Sequence, residues 1–177
     1  MAAKKASSKT PKASRPHMPG YGLPKSSKGL LSWKWAESKL NKSRQYWVIT
    51  VRPDGRPHAM PVWGLWLDGI LYFSTGAQTR KAKNLANNSY CVVTNEDAAE
   101  AVIVEGRAKV LKDPSLVRRF IPLYERKYKW DMSGMADELI ALKQPIFSVH
   151  PAVVFGQIEK TFSKTATRWK FRQERNI

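Results

Sequence analysis

Apolar residues recur at Trp33, Ala36 and Leu40, an i, i+3, i+7 spacing that predicts an amphipathic helix over residues 29–44. Lys34, Glu37, Lys39 and Lys42 fall on its other faces. The pattern then changes to β-branched and aromatic residues in YWVITV, residues 46–51, followed by the turn residues Arg52, Pro53, Asp54 and Gly55. A strand is predicted over residues 58–67, and Pro61 within it marks a place where the ladder is free on one side or interrupted. Asp68-Gly69 is a two-residue hairpin signal, and residues 70–75, ILYFST, are the returning strand.

A helix follows over residues 79–88, capped by Thr79 and ended by Asn87 and Asn88. Residues 89–95 and 98–111 read as two more strands, with Gly106 predicting a bend or bulge of the kind that curls a sheet. Asp113 and Pro114 start a further helix, with Val117, Phe120, Leu123, Tyr124 and Tyr128 as its apolar stripe, and residues 135–142 form a shorter one. The ending predicts two or three strands punctuated by Pro145 and Pro151. About seven strands in hairpin order, with three or four inserted helices, describe a mainly β, α+β antiparallel barrel rather than alternating βαβ units.

Composition supports one domain: 177 residues, 42% hydrophobic, with seven Trp, six Tyr and six Phe. The net charge of +17 is uneven, because residues 1–28 carry seven Lys or Arg and no acid; without that stretch the charge is +10. Its Lys, Ser, Ala, Pro and Gly cannot bury enough apolar surface to offset their ordering entropy, so residues 1–28 read as a flexible basic arm. The stretch lacks the apolar centre of a secretory signal, and no segment approaches the ~20 apolar residues of a membrane span. A cytoplasmic protein is expected.

The single cysteine, Cys91, lies in the apolar run YCVV and reads as a buried thiol. His17, His58 and His150 lack metal-ligand spacing, so no metal is expected. His58, at a strand start, reads as a packed or hydrogen-bonded residue rather than a base.

The chemistry concentrates where the 70–75 strand meets the 79–88 helix. Ser74, Thr75 and Thr79 offer hydroxyls and Gly76 permits close approach of the backbone, while Arg80, Lys81 and Lys83 bring charge to a helix N-terminus that already favours an anion. Phosphate binding stands against an exposed basic face, and it is favoured for Arg80 and Lys81 because the turn supplies further donors. Ser74 and Thr75 also suit plain turn capping. For Trp63 and Trp66 the alternative to a ligand role is core packing.

The stretch DGRPHAMPVWGLWLDGILYFSTGAQTRKAKNLANN, followed by VEGRAKVL and TRWKF, resembles the split-barrel flavoproteins related to pyridoxamine 5'-phosphate oxidase, a group that includes deazaflavin-dependent reductases. The resemblance covers most of residues 30–171. It implies a six-stranded split barrel with peripheral helices over residues 29–177, a homodimer, and FMN in a groove at the subunit interface. It places Met60, Pro61, Val62 and Trp63 along the flavin ring, lines the ribityl and phosphate region with Phe73, Ser74, Thr75 and Gly76, and puts the phosphate on Arg80 and Lys81. Arg168 and Trp169 form a further expectation, stacking on the ring or holding an anionic substrate, against a closing strand anchored in the core. The substrate-binding residues of the oxidase itself find no match.

The expected activity is a flavin-dependent oxidoreductase passing hydride to or from a small organic substrate, with a deazaflavin coenzyme as the alternative cofactor. Two other classes stand beside it: a basic protein binding nucleic acid non-specifically, and a flavin-binding protein without turnover. The charge carries the former, through Lys160, Lys164, Arg168, Lys170, Arg172 and Arg175 as well as the arm. No helix-turn-helix, RNA-recognition or zinc-finger signature accompanies it.

Overall fold

The computed structural model describes residues 10–132 and 134–171. Its elements are β1 (Lys12–Ser14), α1 (Trp33–Lys42), β2 (Gln45–Val51), β3 (Pro57–Leu67), β4 (Ile70–Ser74), α2 (Arg80–Asn87), β5 (Tyr90–Asn95), β6 (Glu100–Val110), α3 (Pro114–Tyr128), α4 (Ala136–Ile140), β7 (Ile146–Ile158), α5 (Phe162–Thr165) and β8 (Thr167–Lys170). Every pairing is antiparallel, and the order β7-β4-β3-β2-β5-β6 returns to β7, closing a six-stranded barrel.

Local chemistry sets the ends of these elements. Ser32, Thr79 and Asp113 each accept a backbone N–H of the helix that follows, and Pro114 occupies the first turn of α3. Asp68 and Gly69 both have positive φ, 53° and 80°, as a tight β3–β4 turn needs. The register of β6 against β7 shifts between Glu105 and Gly106, and a Cβ on Gly106 would lie 2.3 Å from the carbonyl oxygen of His150. Only glycine permits that approach.

Two expectations are corrected. The closing segment is not cut at Pro151: β7 is one strand of 13 residues that runs through it. Pro151 sits opposite Gly106 at the register shift, where the ladder is already disrupted and a missing N–H costs little. The basic arm is also attached over part of its length. Lys12–Ser14 pairs with β8, and the Arg15 guanidinium donates to the carbonyls of Lys164 (2.7 Å), Ala166 (3.1 Å), Lys28 (2.7 Å) and Ser26 (3.2 Å). A short strand with a free edge and one five-donor side chain offset the ordering entropy that composition alone leaves uncompensated. Residues 1–9, and with them Lys4, Lys5 and Lys9, lie outside the described residues, as do Arg172 and Arg175.

Strand alternation divides β3 and β4 between two cores. Val62, Trp66, Leu71 and Phe73 face into the barrel with Tyr46, Val48, Val93, Val102, Val104 and Val154, and α1 plugs one end with Trp33, Ala36 and Leu40. Leu65 and Tyr72 face outward, where Val117 and Phe120 of α3 and Leu139 of α4 cover them. Among the described residues no helix is long and apolar enough to cross a membrane.

Candidate functional site

Over residues 57–63, β3 pairs with β2 alone among the described residues, and β4 joins only from Gly64 onward. That open edge is what tolerates Pro61, and it leaves backbone groups of the strand available on one side. The alternation of the strand also means that the four residues expected along a ring do not act as one set. Met60 (43% exposed) and Val62 share a face with His58, whereas Pro61 and Trp63 belong to the opposite face.

Beyond β4, the hydroxyl-rich turn is tied to the segment before β7. Ser74 Oγ lies within hydrogen-bond range of the carbonyls of Gln144 and Pro145 (3.3 and 3.4 Å), and the Thr75 and Ala77 amides donate to Pro145 and Lys143. Thr75 and Thr79 share a hydroxyl contact of 3.1 Å, and Thr79 accepts from the Ala82 amide as the α2 cap. Ser74 and the two threonines therefore have structural partners, and the turn is held in a fixed shape. The Phe73 ring, expected along the ribityl and phosphate region, is fully buried and stacks on Phe147 at 5.4 Å, and its backbone lies in the ladder between Gly64 and Phe147.

α2 closes this end of the barrel, with the buried Asn84 amide donating to Thr50 at 2.9 Å and Thr50 set opposite His58 in the β2–β3 ladder. This packing gathers Arg52, His58, Arg80 and Lys81. Burial first, then the charges of Arg52, Lys81 and Arg80, hold the His58 imidazole below its ordinary pKa, and burial lowers that of Lys81. The neighbouring carboxylate of Asp54 is committed to Arg56, which bonds it at 2.7 and 3.0 Å and keeps its pKa low. Arg52 Nε and His58 Nδ1 are shielded from solvent yet have no hydrogen-bond partner. Four cationic or neutral-basic groups with unspent donors suit an anion.

Sequence reasoning placed Arg80 and Lys81 here and missed Arg52 and His58. The signal was the hairpin: a turn over residues 52–55 sets Thr50 against His58 and brings a basic residue from each side of the turn toward one helix end. Lys83 is exposed on α2.

On the outer face a second feature adjoins Trp63. Its ring stacks on Tyr128 at 4.5 Å and 6° and meets Trp130 edge-on at 6.3 Å, while Tyr124 tilts against it at 6.3 Å. The Tyr128 hydroxyl accepts from the Gly64 amide at 2.7 Å and lies 2.7 Å from the Arg44 carbonyl. Lys127 Nζ donates to the Gly64 carbonyl (2.8 Å) and the Tyr46 hydroxyl (3.0 Å), and burial lowers its pKa to about 8. A cavity of about 330 Å³ opens beside this cluster, lined by Trp63, Ser74, Tyr124, Trp130, Met132, Met135 and Gln144.

The C-terminal pair is not part of either feature. Trp169 is fully buried, 5.5 Å from Trp33 in the barrel core, and Arg168 Nε donates to Ser14 Oγ at 3.3 Å across the β8–β1 ladder. Of the two readings of Trp169, the structure takes the closing strand anchored in the core: Gly156, where a Cβ would lie 2.8 Å from the Trp169 ring, opens the space that the indole fills. Cys91 is buried, which pushes its thiol up to about 12.

A barrel closed by six antiparallel strands, with one strand edge open beside a basic helix start, is a split barrel. The family model described as pyridoxamine 5'-phosphate oxidase matches residues 34–157, and the chain belongs to that family. No curated protein matches the sequence at a significant level. Solved structures carry the same fold. A conserved hypothetical protein from Mycobacterium tuberculosis is 23% identical, with a TM-score of 0.62 over 70% of this chain and 82% of that one. An F420 reductase is 22% identical, with a TM-score of 0.55 over 67% and 94%. A heme storage protein from Vibrio cholerae is 16% identical, with a TM-score of 0.54 over 67% and 89%.

Proposed function

We propose that the chain is a flavin-dependent oxidoreductase that holds FMN along the open edge of β3, with the phosphate at the start of α2. The observation that carries this reading is the cation cluster of Arg52, His58, Arg80 and Lys81, in which Arg52 Nε and His58 Nδ1 are shielded without a side-chain partner among the described residues and Asp54 is committed to Arg56. Arg80 and Lys81 bind the phosphate, Arg52 and His58 complete its donors, and the fixed 75–79 turn lets Gly76 and the α2 amides approach it. The open edge of residues 57–63 presents backbone groups to the ring, with Met60 against it. FMN, when bound, supplies the hydride chemistry; the protein binds, orients and excludes water.

The unit is read as a homodimer. The outer sheet exposes Trp47 (46%) beside Pro61, and Tyr90 (53%) on the neighbouring strand, an apolar surface suited to a second copy next to the groove. Two variations of the reading have support. The F420 reductase likeness favours a deazaflavin coenzyme in the same groove, and the heme storage likeness favours cofactor binding without turnover.

The test is titration with FMN, followed by visible absorbance, for the wild-type protein and for Arg80→Ala and Lys81→Ala. Each charge-assisted hydrogen bond removed is worth about 1.5–3 kcal/mol, or roughly 10- to 150-fold in affinity. A protein whose FMN affinity is indifferent to both substitutions contradicts the phosphate assignment.

A further inference from the structure

The cavity between β3, α3 and the segment that follows α3 is lined without a single charged side chain. In a chain of net charge +17, its seven lining residues include no Lys, Arg, His, Asp or Glu. Three are aromatic and two are methionines; the polar groups are Ser74 and Gln144. Burial pushes the Tyr124 phenol up, so its hydroxyl stays neutral. The cations beside this cluster are Lys127, whose Nζ lies 5.4 Å from the Tyr128 ring centre, and Arg44, whose guanidinium carbon lies 5.8 Å from the Trp63 ring centre and 5.7 Å from that of Tyr128; both stand outside the lining.

The walls also have a direction. Trp63 is fixed flat against Tyr128, and Tyr128 is pinned by Gly64 and Arg44, so the Trp63 plane is set by the barrel. Trp130 is 56% exposed and stands edge-on to it, at the mouth. Flat aromatic walls with thioethers favour a planar π-system, through offset or edge contacts and sulfur–aromatic contacts. At about 330 Å³ the space lies at the low end of small-molecule sites, enough for a ring system of about two fused rings. The Gln144 side-chain amide, in the lining of this otherwise largely apolar pocket, gives such a ring a polar anchor.

We propose that this cavity is the site of the organic substrate, and that the substrate is an uncharged, planar aromatic molecule rather than a phosphorylated or carboxylated one. The assignment rests on the flavin reading for its role, since Trp63 ends the open edge given to the ring, on the face of β3 opposite Met60, but the binding site itself does not depend on it. The two ligands are separated in space: the anion goes to the α2 start, and the neutral ring goes between β3 and α3. Desolvating a carboxylate against five apolar side chains without a paired cation is costly, which makes the cavity selective as well as receptive.

The experiment uses 2-naphthamide and 2-naphthoate, which share a ring frame and differ by one charge, in calorimetric titrations of the full chain with and without FMN. 2-Naphthamide is expected to bind once per chain and at least tenfold more tightly than 2-naphthoate, with FMN in place. Trp130→Ala, at an exposed position where folding is not at stake, is expected to weaken 2-naphthamide about tenfold. Met135→Lys places a cation in the lining and is expected to reverse the preference toward 2-naphthoate. Absent binding of 2-naphthamide, a wild-type preference for 2-naphthoate, or competition between 2-naphthamide and FMN overturns the assignment. The two readings fail separately. FMN bound with no 2-naphthamide binding ends this inference alone, and 2-naphthamide bound to protein that holds no FMN ends the flavin reading alone.

Discussion

Two aromatic clusters lie on opposite faces of β3 and use the same residue types for different ends. Inside the barrel, Trp33 meets Trp66, Trp169 and Phe171 edge-to-face at 6.2, 5.5 and 5.1 Å, and Trp33, Trp66 and Trp169 are at most 8% exposed. Outside, Trp63, Tyr124, Tyr128 and Trp130 form a cluster anchored at its base by the Tyr128 hydroxyl on Gly64 and Arg44, with a half-exposed indole at its rim. The inner indoles leave two N–H groups unpartnered, at Trp66 and Trp169, which a packed core tolerates for the area buried. The outer cluster instead surrounds a cavity. An aromatic residue on a strand is thus core or site according to which face the alternation gives it.

The comparison breaks most visibly at Trp169. Trp169→Ala is expected to cost about 3–5 kcal/mol in urea unfolding, by loss of burial plus a cavity. The cost falls to about 1–3 kcal/mol for Tyr128→Phe, which leaves the buried Gly64 amide without its acceptor and frees the plane of Trp63. Trp130→Ala should shift stability by no more than about 0.5 kcal/mol, and a loss comparable to that of Trp169→Ala would erase the distinction between the clusters.

Lys127 sharpens the same contrast through pH. Its folded-state pKa, about 8, lies below the unfolded 10.5, so between these values the unfolded chain binds more protons than the native one. Its contribution to stability therefore rises with pH across that window, and below about pH 8 the buried charge carries its full desolvation cost. Buried Cys91 and the buried tyrosines act oppositely above pH 9, because their folded pKa values are raised. The measurement is thus a difference: wild type minus Lys127→Met should become more favourable from pH 8 to 10, and a flat difference contradicts the placement of Lys127 against Gly64 and Tyr46.

Much of this organisation was legible in the sequence where the signal is local. The Trp33, Ala36 and Leu40 spacing, Asp68-Gly69, the Thr79 and Asp113 caps, and the Gly106 kink each rest on chemistry within a few residues, and each appears as a structural feature. What was not legible depends on pairing at a distance. Pro151 looked like an end because its tolerance comes from Gly106 on another strand. Lys12–Ser14 looked free because its partner is β8, more than 150 residues away. Trp169 was drawn to the ligand by its neighbour Arg168, although the two point to opposite faces, and Arg52 and His58 were overlooked because only the closing of α2 over β2 gives them a common focus. The cavity residues Trp130, Met132 and Met135 carry no motif, and α3 alone brings them to Trp63.

The account stands most directly on one spectrum: visible absorption of the purified protein titrated with FMN, with mass analysis of any small molecule released on denaturation. The account predicts a two-band flavin spectrum, saturation at one FMN per chain, and loss of that binding in the Arg80→Ala, Lys81→Ala double variant. A protein that remains colourless and takes up neither FMN nor a deazaflavin coenzyme contradicts it.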